Sequence, residues 1–350
     1  MLKKISKNIE LFTGRTTDEA FKRVTISASD GIMRIYGYDG YGYVWLKFRT
    51  SSKFPTLHMD INEFTAAVEN SKDMDTIVSI RGNMVVLSSG NITSNINADV
   101  EEELYEIEPP EKLIGRINSK SLHRILDLGS MCADKTSTEE NLIMLSASKN
   151  FYASNGMYGN MNSFAGCSGD TLDSVAFFIP YNTVRHMVKV LANMKEIDLN
   201  ISSEGNRISI FSDSFGFTFD GITDEELYKT HAEMIGKSKD TAMKGKVVEL
   251  NKEQMHNSLD SAIKIMRTTG GTFIIDMDEE IAINARTPNG STTKIDVCNS
   301  NLKGGEFYVN IEMLRSFIKR IDASKYRFMY KNDTLVVMDG TIKEMLMILR

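Results

Sequence analysis

One four-residue segment occurs twice in this chain at a domain-sized spacing, and it constrains the fold more than any other feature. The sequence Glu-Glu-Leu-Tyr at residues 102–105 recurs at residues 225–228, 123 residues later. Each copy follows the same order of predicted elements, a short amphipathic helix and then two β-rich runs. Helix candidates that begin near Asp60, Pro180 and Asn310 extend the period into the last third. A period of about 120 residues is too long for a solenoid repeat and matches a small domain.

The sequence therefore predicts three tandem copies of one domain, at residues 1–112, 113–240 and 241–350. Helical apolar periodicity predicts helices over 61–71, 119–133, 181–194, 252–267 and 311–321. A further helix is expected between residues 6 and 21. Alternating apolar residues around turns such as Asp39-Gly40 predict antiparallel hairpins. Helices beside antiparallel sheets make the predicted class α+β, and the polar segment 237–246 is interpreted as a linker.

Composition and motifs argue against several classes of protein. No segment has the roughly 18 consecutive apolar residues of a membrane helix, and no apolar run follows the N-terminal lysines as in a signal peptide. Cys132, Cys167 and Cys298 suit neither a zinc site nor a disulfide framework, which favours the cytoplasm. The sequence contains no P-loop, nucleophile elbow or metalloprotease motif. The acidic runs 101–103 and 224–226 are interpreted as solvated loops rather than metal ligands. We therefore expect no enzyme activity, no cofactor and no metal.

Positive charge is concentrated on four predicted helices. The segments 119–133, 181–195, 251–267 and 311–321 together carry a net charge of +7, which leaves −13 for the rest of a chain with net charge −6. Many of the basic residues fall three or four apart, so they share a helix face. Such segregation suits a protein that receives a polyanion on one surface through phosphate contacts without sequence specificity. The DNA-contact candidates are Lys120, Arg124, Arg185, Lys189, Lys195, Lys264, Arg267, Arg315, Lys319 and Arg320.

Two other interpretations stay open at this point. The alternating aromatic residues Tyr36, Tyr38, Tyr41, Tyr43 and Trp45 would suit a single-stranded nucleic-acid-binding protein that stacks bases, although such alternation is more typical of sheet packing. A structural assembly protein built from repeated β-rich domains would need no basic helix faces.

Several local segments resemble those of one protein family. Residues 151–158 (FYASNGMY) resemble the segment F-V-A-T-D-G-H-R of the bacterial sliding clamp, the DNA polymerase III beta subunit. Val309-Asn310 is similar to that family's V-N entry into its last helix, and residues 343–350 are similar to its terminal M-P-M-R-L. Gly221-Ile222 with residues 226–228 resembles its F-P-D-Y segment. The resemblance covers essentially the whole chain and indicates a divergent member, such as a phage would encode.

The resemblance implies a fold, an assembly and a set of partners. Three clamp domains would form half of a ring, and a head-to-tail homodimer would close it around double-stranded DNA without sequence specificity. The clamp would tether the replicative DNA polymerase and be loaded by a clamp loader, in the cytoplasm of a bacterium or of a phage's bacterial host. The family's partner-peptide pocket lies between the second and third domains. Carried over by position, its candidates are Ser154, Gly156, Met157, Tyr158, Met345, Leu346 and Met347.

Two departures from the family pattern fall on this pocket. The family's His-Arg pair is replaced by Met157-Tyr158, and its terminal proline by Leu346 or Ile348. The pocket rim is therefore expected to differ in shape and charge from that of other clamps.

Overall fold

The structure, a computed structural model, contains one supersecondary unit three times, in the predicted α+β class. It describes residues 2–13, 22–70, 77–100, 108–133, 141–269, 272–277, 280–299, 305–321, 324–341 and 343–349. In the second and third units a strand and a helix precede three antiparallel strands, then two further strands in the second unit or one in the third, a second helix and three more strands. The first described element of the first unit is the first helix of this plan.

The elements follow one another in the same order in each unit. The first unit comprises α1 (Leu2–Thr13), β1 (Arg23–Ser29), β2 (Ile32–Tyr38), β3 (Gly42–Arg49), β4 (Phe54–Asp60), α2 (Ile61–Asn70), β5 (Ile77–Arg81), β6 (Met84–Ser89), β7 (Ile92–Asn97) and β8 (Asp99–Val100). The second comprises β9 (Leu113–Asn118), α3 (Ser119–Gly129), β10 (Leu142–Ser148), β11 (Phe151–Tyr158), β12 (Met161–Ser168), β13 (Asp170–Thr171), β14 (Val175–Pro180), α4 (Tyr181–Ala192), β15 (Asp198–Glu204), β16 (Arg207–Phe211) and β17 (Phe215–Asp220). After α5 (Glu225–Lys244), the third comprises β18 (Lys246–Asn251), α6 (Lys252–Thr269), β19 (Thr272–Met277), β20 (Glu280–Arg286), β21 (Thr292–Asn299), β22 (Glu306–Tyr308), α7 (Ile311–Arg320), β23 (Lys325–Lys331), β24 (Thr334–Met338) and β25 (Glu344–Leu349).

Neighbouring units are joined by continuous sheets. A ten-stranded sheet contains strands of the first and second units, and its two halves meet where β3 pairs antiparallel with β17. An eight-stranded sheet joins the second and third units through β12 and β25. Two smaller sheets belong to one unit each, with the orders β5-β6-β7 and β21-β20-β19-β22. Hydrogen-bonded ladders therefore cross both unit boundaries.

The six helices of the repeated plan pack in pairs against one face of the sheets, hereafter the helix face. Their apolar stripes join one large core, which includes Leu122 and Ile125 of α3, Val184 of α4 and Leu314 of α7. Side-chain caps explain where two of the helices begin. The side chain of Asn118 accepts a hydrogen bond from the backbone N–H of Lys120, and that of Asn310 accepts one from Met313. The predicted helices over 61–71, 119–133, 181–194, 252–267 and 311–321 are confirmed, with ends that differ by up to four residues.

The seventh described helix, α5, lies outside the repeated plan and corrects two predictions. The segment 237–246, predicted to be a linker, is the second half of α5 and the start of β18. The Glu-Glu-Leu-Tyr copy at 225–228 is the first turn of α5 rather than a loop, with Asp224 as its N-cap. The copy at 102–105 lies outside the described residues. The predicted domain boundary at residue 240 falls inside α5.

Helix α5 crosses the eight-stranded sheet on the face opposite the helix face, hereafter the outer face. It packs against β12, β23 and β24, so it spans the joint between the second and third units. Strand alternation separates the two faces: Leu346 and Ile348 of β25 enter the main core, whereas Met345 and Met347 enter a second cluster with Met234 of α5. Five of the nine buried residues of this second cluster are methionines, which adapt to irregular gaps.

Candidate nucleic-acid interface and partner groove

Basic side chains of the second and third units meet around one cleft on the helix face. The cleft has a volume of about 640 Å³ and lies between the C-terminal end of α3 and helices α4 and α7. Five of the ten predicted DNA contacts line it: Arg185, Lys189, Arg315, Lys319 and Arg320. Arg185 and Lys319 are exposed, and the guanidinium group of Arg185 lies over the ring of Tyr181, 5.6 Å from its centroid. The structure thus brings half of the predicted set together, from two units.

Several of the predicted DNA contacts form ion pairs within the chain. Lys120 pairs with Glu196 at 2.5 Å, and this contact lowers the pKa of the Glu196 carboxyl. Arg124 forms a bidentate pair with Glu344, in which its Nη2 lies 2.8 Å from Oε2. This pair joins α3 of the second unit to β25 of the third, so Arg124 has a structural partner in addition to any DNA contact.

Two further arginines on α7 also have carboxylate partners. Arg315 pairs with Asp260 of α6 at 2.5 Å. Arg320 pairs with Asp127 of α3 across the cleft at 3.2 Å. Its Nη1 also donates to the backbone carbonyl oxygen of Asp127 at 3.4 Å. Arg320 therefore links the third unit to the C-terminal end of α3.

Two of the remaining predicted contacts, Lys195 and Lys264, do not line the cleft. Lys195 is exposed just after α4, and Lys264 is exposed on α6. Arg267 falls within α6, but its side chain lies outside the described part of the structure.

On the helix face, the helices of the first and second units contact each other directly, whereas a cleft separates those of the second and third units. Between the first and second units, α1 packs directly on α4, and the rings of Phe12 and His186 lie 5.7 Å apart. His186 also pairs with Asp39 in the turn between β2 and β3, at 2.9 Å. The equivalent helices of the next joint are α3 and α7. The cleft separates them, and the ion pair between Arg320 and Asp127 spans it.

The residues predicted for the partner-peptide pocket are divided between the two faces of the eight-stranded sheet. Ser154, Gly156 and Leu346 are buried on the helix face, where Gly156 lies against the backbone of Gly129 in α3. Met345 and Met347 are fully buried on the outer face beneath α5, and Met157 is half-buried at the edge of their cluster. Tyr158 is exposed. In this conformation, Met157 and Tyr158 are the predicted pocket residues that solvent reaches.

A chain of buried polar groups holds α5 on the sheet. The amide nitrogen of Asn155 donates to Asn162, so its oxygen faces His231 and accepts from the ring Nδ1–H. Asn162 donates to Ser238 at 3.4 Å, and Ser238 lies 3.0 Å from the sulfur of Met347. Burial lowers the pKa of His231 to about 4, so the ring is neutral near pH 7.

We expect the free energy of unfolding to fall as the pH falls from about 6.5 towards 4. The unfolded chain binds a proton at His231 with an ordinary pKa near 6.5, whereas the folded chain resists it until the pH approaches 4. The loss should reach about 2 kcal/mol by pH 5 and should be absent above pH 7. Urea unfolding at pH 7 and pH 5 measures it. His231→Gln keeps a donor for Asn155 but does not titrate, so an equal pH dependence in this variant would refute the assignment.

A second groove lies between the hairpin turn of β11–β12 and the N-terminal end of α7. It has a volume of about 430 Å³, and its floor contains the buried side chains of Met161, Phe273 and Ile311. Two tyrosines line it with substantially exposed rings, Tyr158 at 39% and Tyr308 at 54%. The groove thus combines an apolar floor with accessible aromatic rings, which is typical of a peptide-binding site.

This groove, hereafter the tyrosine groove, is built by both the second and the third unit. The side-chain amide of Asn160 donates to the carbonyl oxygens of Tyr308 and Leu349, at 3.3 and 2.9 Å. Of the residues that line the tyrosine groove, only Tyr158 belongs to the site predicted from the sequence. The predicted helix entry Val309-Asn310 directly follows Tyr308, and this adjacency is the signal that could have extended the site.

The aromatic hairpin of the first unit serves mainly as packing. Trp45 and Tyr36 are almost fully buried in a small cluster on the outer face with Phe211. The indole N–H of Trp45 donates to Thr218 at 3.0 Å. Tyr41 is exposed, but two of the five predicted stacking rings are inaccessible to a base.

None of the described helices combines the length and the apolar character needed to cross a membrane. The described His, Cys, Asp and Glu side chains form no group of three or more that could hold a metal ion. Burial raises the pKa of the Cys132 thiol to about 12, so this cysteine is a neutral packing residue.

Comparison with known proteins gives similarity at the level of structure. No protein-family model matches the sequence, and no curated protein matches it. The DNA polymerase III beta subunit of Thermotoga maritima matches with a TM-score of 0.84 and 15% identity, over 99% of this chain and 96% of that one. The DNA polymerase III beta subunit of Pseudomonas aeruginosa matches with a TM-score of 0.79 and 11% identity, over 99% of this chain and 97% of that one. The DNA polymerase sliding clamp of Bacillus subtilis matches with a TM-score of 0.78 and 12% identity, over 99% of this chain and 96% of that one.

These similarities extend over essentially the whole of each chain, and they include all three repeated units. The expected resemblance is confirmed in the fold, while the sequence identities are far below the level at which function follows from similarity. The chain therefore has the three-unit fold of the DNA polymerase III beta subunit, the bacterial sliding clamp, in a strongly diverged sequence.

Proposed function

We propose that this protein is a DNA sliding clamp, a processivity factor without catalytic activity that encircles duplex DNA as a head-to-tail homodimer. One observation carries the proposal: the same strand-pairing rule joins the units twice within the chain. Each joint pairs two strands in antiparallel fashion. One is the third of the three antiparallel strands that follow a unit's first helix (β3 or β12), and the other is the last strand of the next unit (β17 or β25). The equivalent strands β21 and β7 lie at sheet edges without a partner in the described structure.

The internal joints also predict the register of the pairing between chains. In both, the first residue of the leading strand faces the penultimate residue of the other: Gly42 faces Phe219, and Met161 faces Ile348. Applied to β21 and β7, this rule places Thr292 opposite Ile96 of a second copy, and Lys294 opposite Ser94. Because the two edges differ, the contact is heterologous and closes into a ring when two copies of a half-ring meet.

The charge distribution supports duplex DNA as the encircled partner. The cations of α4 and α7 lie on the helix face, which would line the ring, while the chain as a whole is acidic. Exposed lysine and arginine side chains contact phosphates without base recognition, so the contacts can re-form at every step along the duplex. A closed ring stays on DNA without a tight binding site. Ion pairs within the chain, such as those of Arg315 and Arg320, would weaken the phosphate contacts of these cations and so favour sliding of the ring along the duplex.

The tyrosine groove is the proposed docking site for peptides of the DNA polymerase and the clamp loader. It is the apolar, accessible groove at the joint where the family resemblance predicted such a pocket, and it includes Tyr158 of the predicted set. Residues Met345, Leu346 and Met347 are buried and do not line this groove, so they would not contact the peptide there. In this proposal the protein acts with the DNA polymerase in the cytoplasm. The domain boundaries 1–112, 113–240 and 241–350 remain predictions.

Two measurements test the assembly. Light scattering over a concentration series should give a mass near twice the chain mass of 39.3 kDa, whereas a monomer at every concentration would contradict the ring. The register is tested by the double variant Ser94→Cys with Lys294→Cys. Facing residues of paired strands lie within disulfide distance, so mild oxidation should give a covalent dimer on a non-reducing gel.

The matched control for the cross-link shifts one cysteine by two residues along the same face. Ser94→Cys with Asp296→Cys places the thiols diagonally, beyond the usual reach of a disulfide. Equal cross-linking of both double variants would rule out the predicted register, and cross-linking of neither would rule out the interface.

A further inference from the structure

One arginine in the cleft between α3, α4 and α7 both forms an ion pair within the chain and faces the cleft. Arg320 links α7 to Asp127 at the C-terminal end of α3, through both the carboxylate and the backbone carbonyl oxygen. The side chain of Arg320 is 42% exposed and that of Asp127 is 27% exposed, so solvent and an incoming anion can reach the pair. Arg320 also lines the same cleft as Arg185 and Lys319, and none of the described carboxylates forms an ion pair with either of these two residues.

The position of Asp127 makes this ion pair important for α3. The C-terminal end of a helix carries a partial negative charge, which disfavours a carboxylate and favours a cation. Asp127 lies two residues before the end of α3, and Arg320 supplies the cation. Without Arg320, the carboxylate of Asp127 would lie at the partially negative end of α3 without the ion-pair partner that Arg320 provides.

The corresponding joint between the first and second units has no such dependence. There α1 packs directly on α4, and His186 and Asp39 form a pair that is almost fully buried. An external anion does not reach that pair. The joint between the second and third units is therefore the one whose contact on the helix face a polyanion could replace.

We propose that the cleft is a phosphate-binding site, in which a backbone phosphate of nucleic acid takes the place of Asp127 on Arg320. Arg185 and Lys319 flank the phosphate, and the last turn of α3 loosens when Asp127 loses its partner. The inference rests on the proposed function, because it assumes that the helix face meets DNA. It adds that DNA contact and the geometry of one joint are coupled through a single arginine.

A double-mutant cycle in DNA binding tests the exchange. The full-length chain, D127N, R320A and the combined variant are titrated into a labelled short duplex at low ionic strength, with fluorescence anisotropy as the signal. We expect D127N to strengthen DNA binding about two- to fivefold. An exposed ion pair contributes up to about 1 kcal/mol, and the phosphate would no longer compete with Asp127 for Arg320. In the R320A background the same substitution should have no effect, because its benefit acts through Arg320.

Glu312→Gln is the matched control for charge alone. Glu312 lines the same cleft and is exposed, and none of the described basic residues forms an ion pair with it. If D127N strengthens binding equally with and without Arg320, or no more than E312Q does, the carboxylate acts only as a general negative charge and the exchange is refuted.

Hydrogen exchange at residues 126–133 tests the loosening of α3. The backbone N–H groups of Ser130 and Met131 donate to Leu126 and Leu128 in the last turn, so they report on its integrity. Exchange there should become faster with duplex DNA and stay unchanged with inorganic phosphate at equal ionic strength. Unchanged or slower exchange with DNA would overturn the coupling, and an equal response to inorganic phosphate would indicate a site for free anions instead.

A separate variant distinguishes failure of this inference from failure of the proposed function. Arg185→Ala with Lys319→Ala removes two cleft cations that have no described carboxylate partner. If it weakens DNA binding while the cycle is additive, the DNA-facing surface stands and only the exchange fails. If it leaves binding unchanged, the assignment of the helix face to DNA fails as well, and the inference with it.

Discussion

A chain that carries Asn95→Asp together with Thr293→Asp is expected to stay monomeric at concentrations where the unmodified chain dimerises. In the proposed ring, the register of the two internal joints would place these residues opposite each other, between β7 of one copy and β21 of the next. Both side chains are exposed in the single chain, so the substitutions should leave its fold intact. Facing like charges destabilise paired strands, by about 1 kcal/mol or more for each pair. The ring contains two such pairs, so the dissociation constant should rise about thirtyfold or more.

Charge complementarity supplies the control. Asn95→Lys with Thr293→Asp alters the same two positions but brings opposite charges together, so light scattering should again give the dimer mass. Circular dichroism of both double variants should match that of the unmodified chain. Dimerisation of the Asp–Asp variant at unchanged strength would show that these strands do not face each other.

Gly156→Ala is expected to lower the free energy of unfolding by about 1–3 kcal/mol, the usual penalty for overpacking a core. An added methyl group would lie 2.7 Å from the carbonyl oxygen of Gly129 and 3.1 Å from the Cδ1 atom of Ile143. The backbone oxygen cannot move without shifting α3 from the sheet. Chemical denaturation measures the loss. If Gly156 instead lined an open partner pocket, the substitution would leave stability unchanged and affect only peptide binding.

Gly236→Ala is the comparison for this variant, and its effect should have the opposite sign. Gly236 is an exposed glycine in the middle of α5, with no atom within 4 Å of an added methyl group. Alanine restricts the unfolded chain and favours the helix, so stability should rise by up to about 1 kcal/mol. Loss of stability in both variants would point to a general effect of glycine replacement and not to the contact with Gly129.

The sequence was sufficient for the repeat, the class and most of the elements because apolar periodicity is a local property. The helix over Ile311–Arg320 shows this: Leu314, Phe317 and Ile318 point into the core, and the basic residues lie on the other side. The clustering of Arg185 with Lys319 followed from charge segregation, although the cleft between them did not. Ion pairs such as Arg124 with Glu344 join residues 220 positions apart, which no local pattern specifies.

Helix α5 was missed because its buried side has little apolar character. His231, Ser238 and Thr241 are among its buried residues, at positions where a typical amphipathic helix has leucine or isoleucine. Its polar composition therefore resembled a linker. The pocket prediction was limited by a different property of strands: neighbouring residues such as Met345 and Leu346 point to opposite faces, and motif similarity does not separate them.

The shared sheets have a consequence for how such a protein could arise and be divided. Because β3 with β17 and β12 with β25 are ladder partners, excising any unit leaves its neighbour with a bare strand edge. Bare edges invite pairing with other chains, so isolated single units are expected to aggregate rather than persist as independent modules. Trimming the chain by one unit, or adding one, would also change the arc that each copy spans. If the proposed ring forms, both solubility and ring closure therefore limit the number of units.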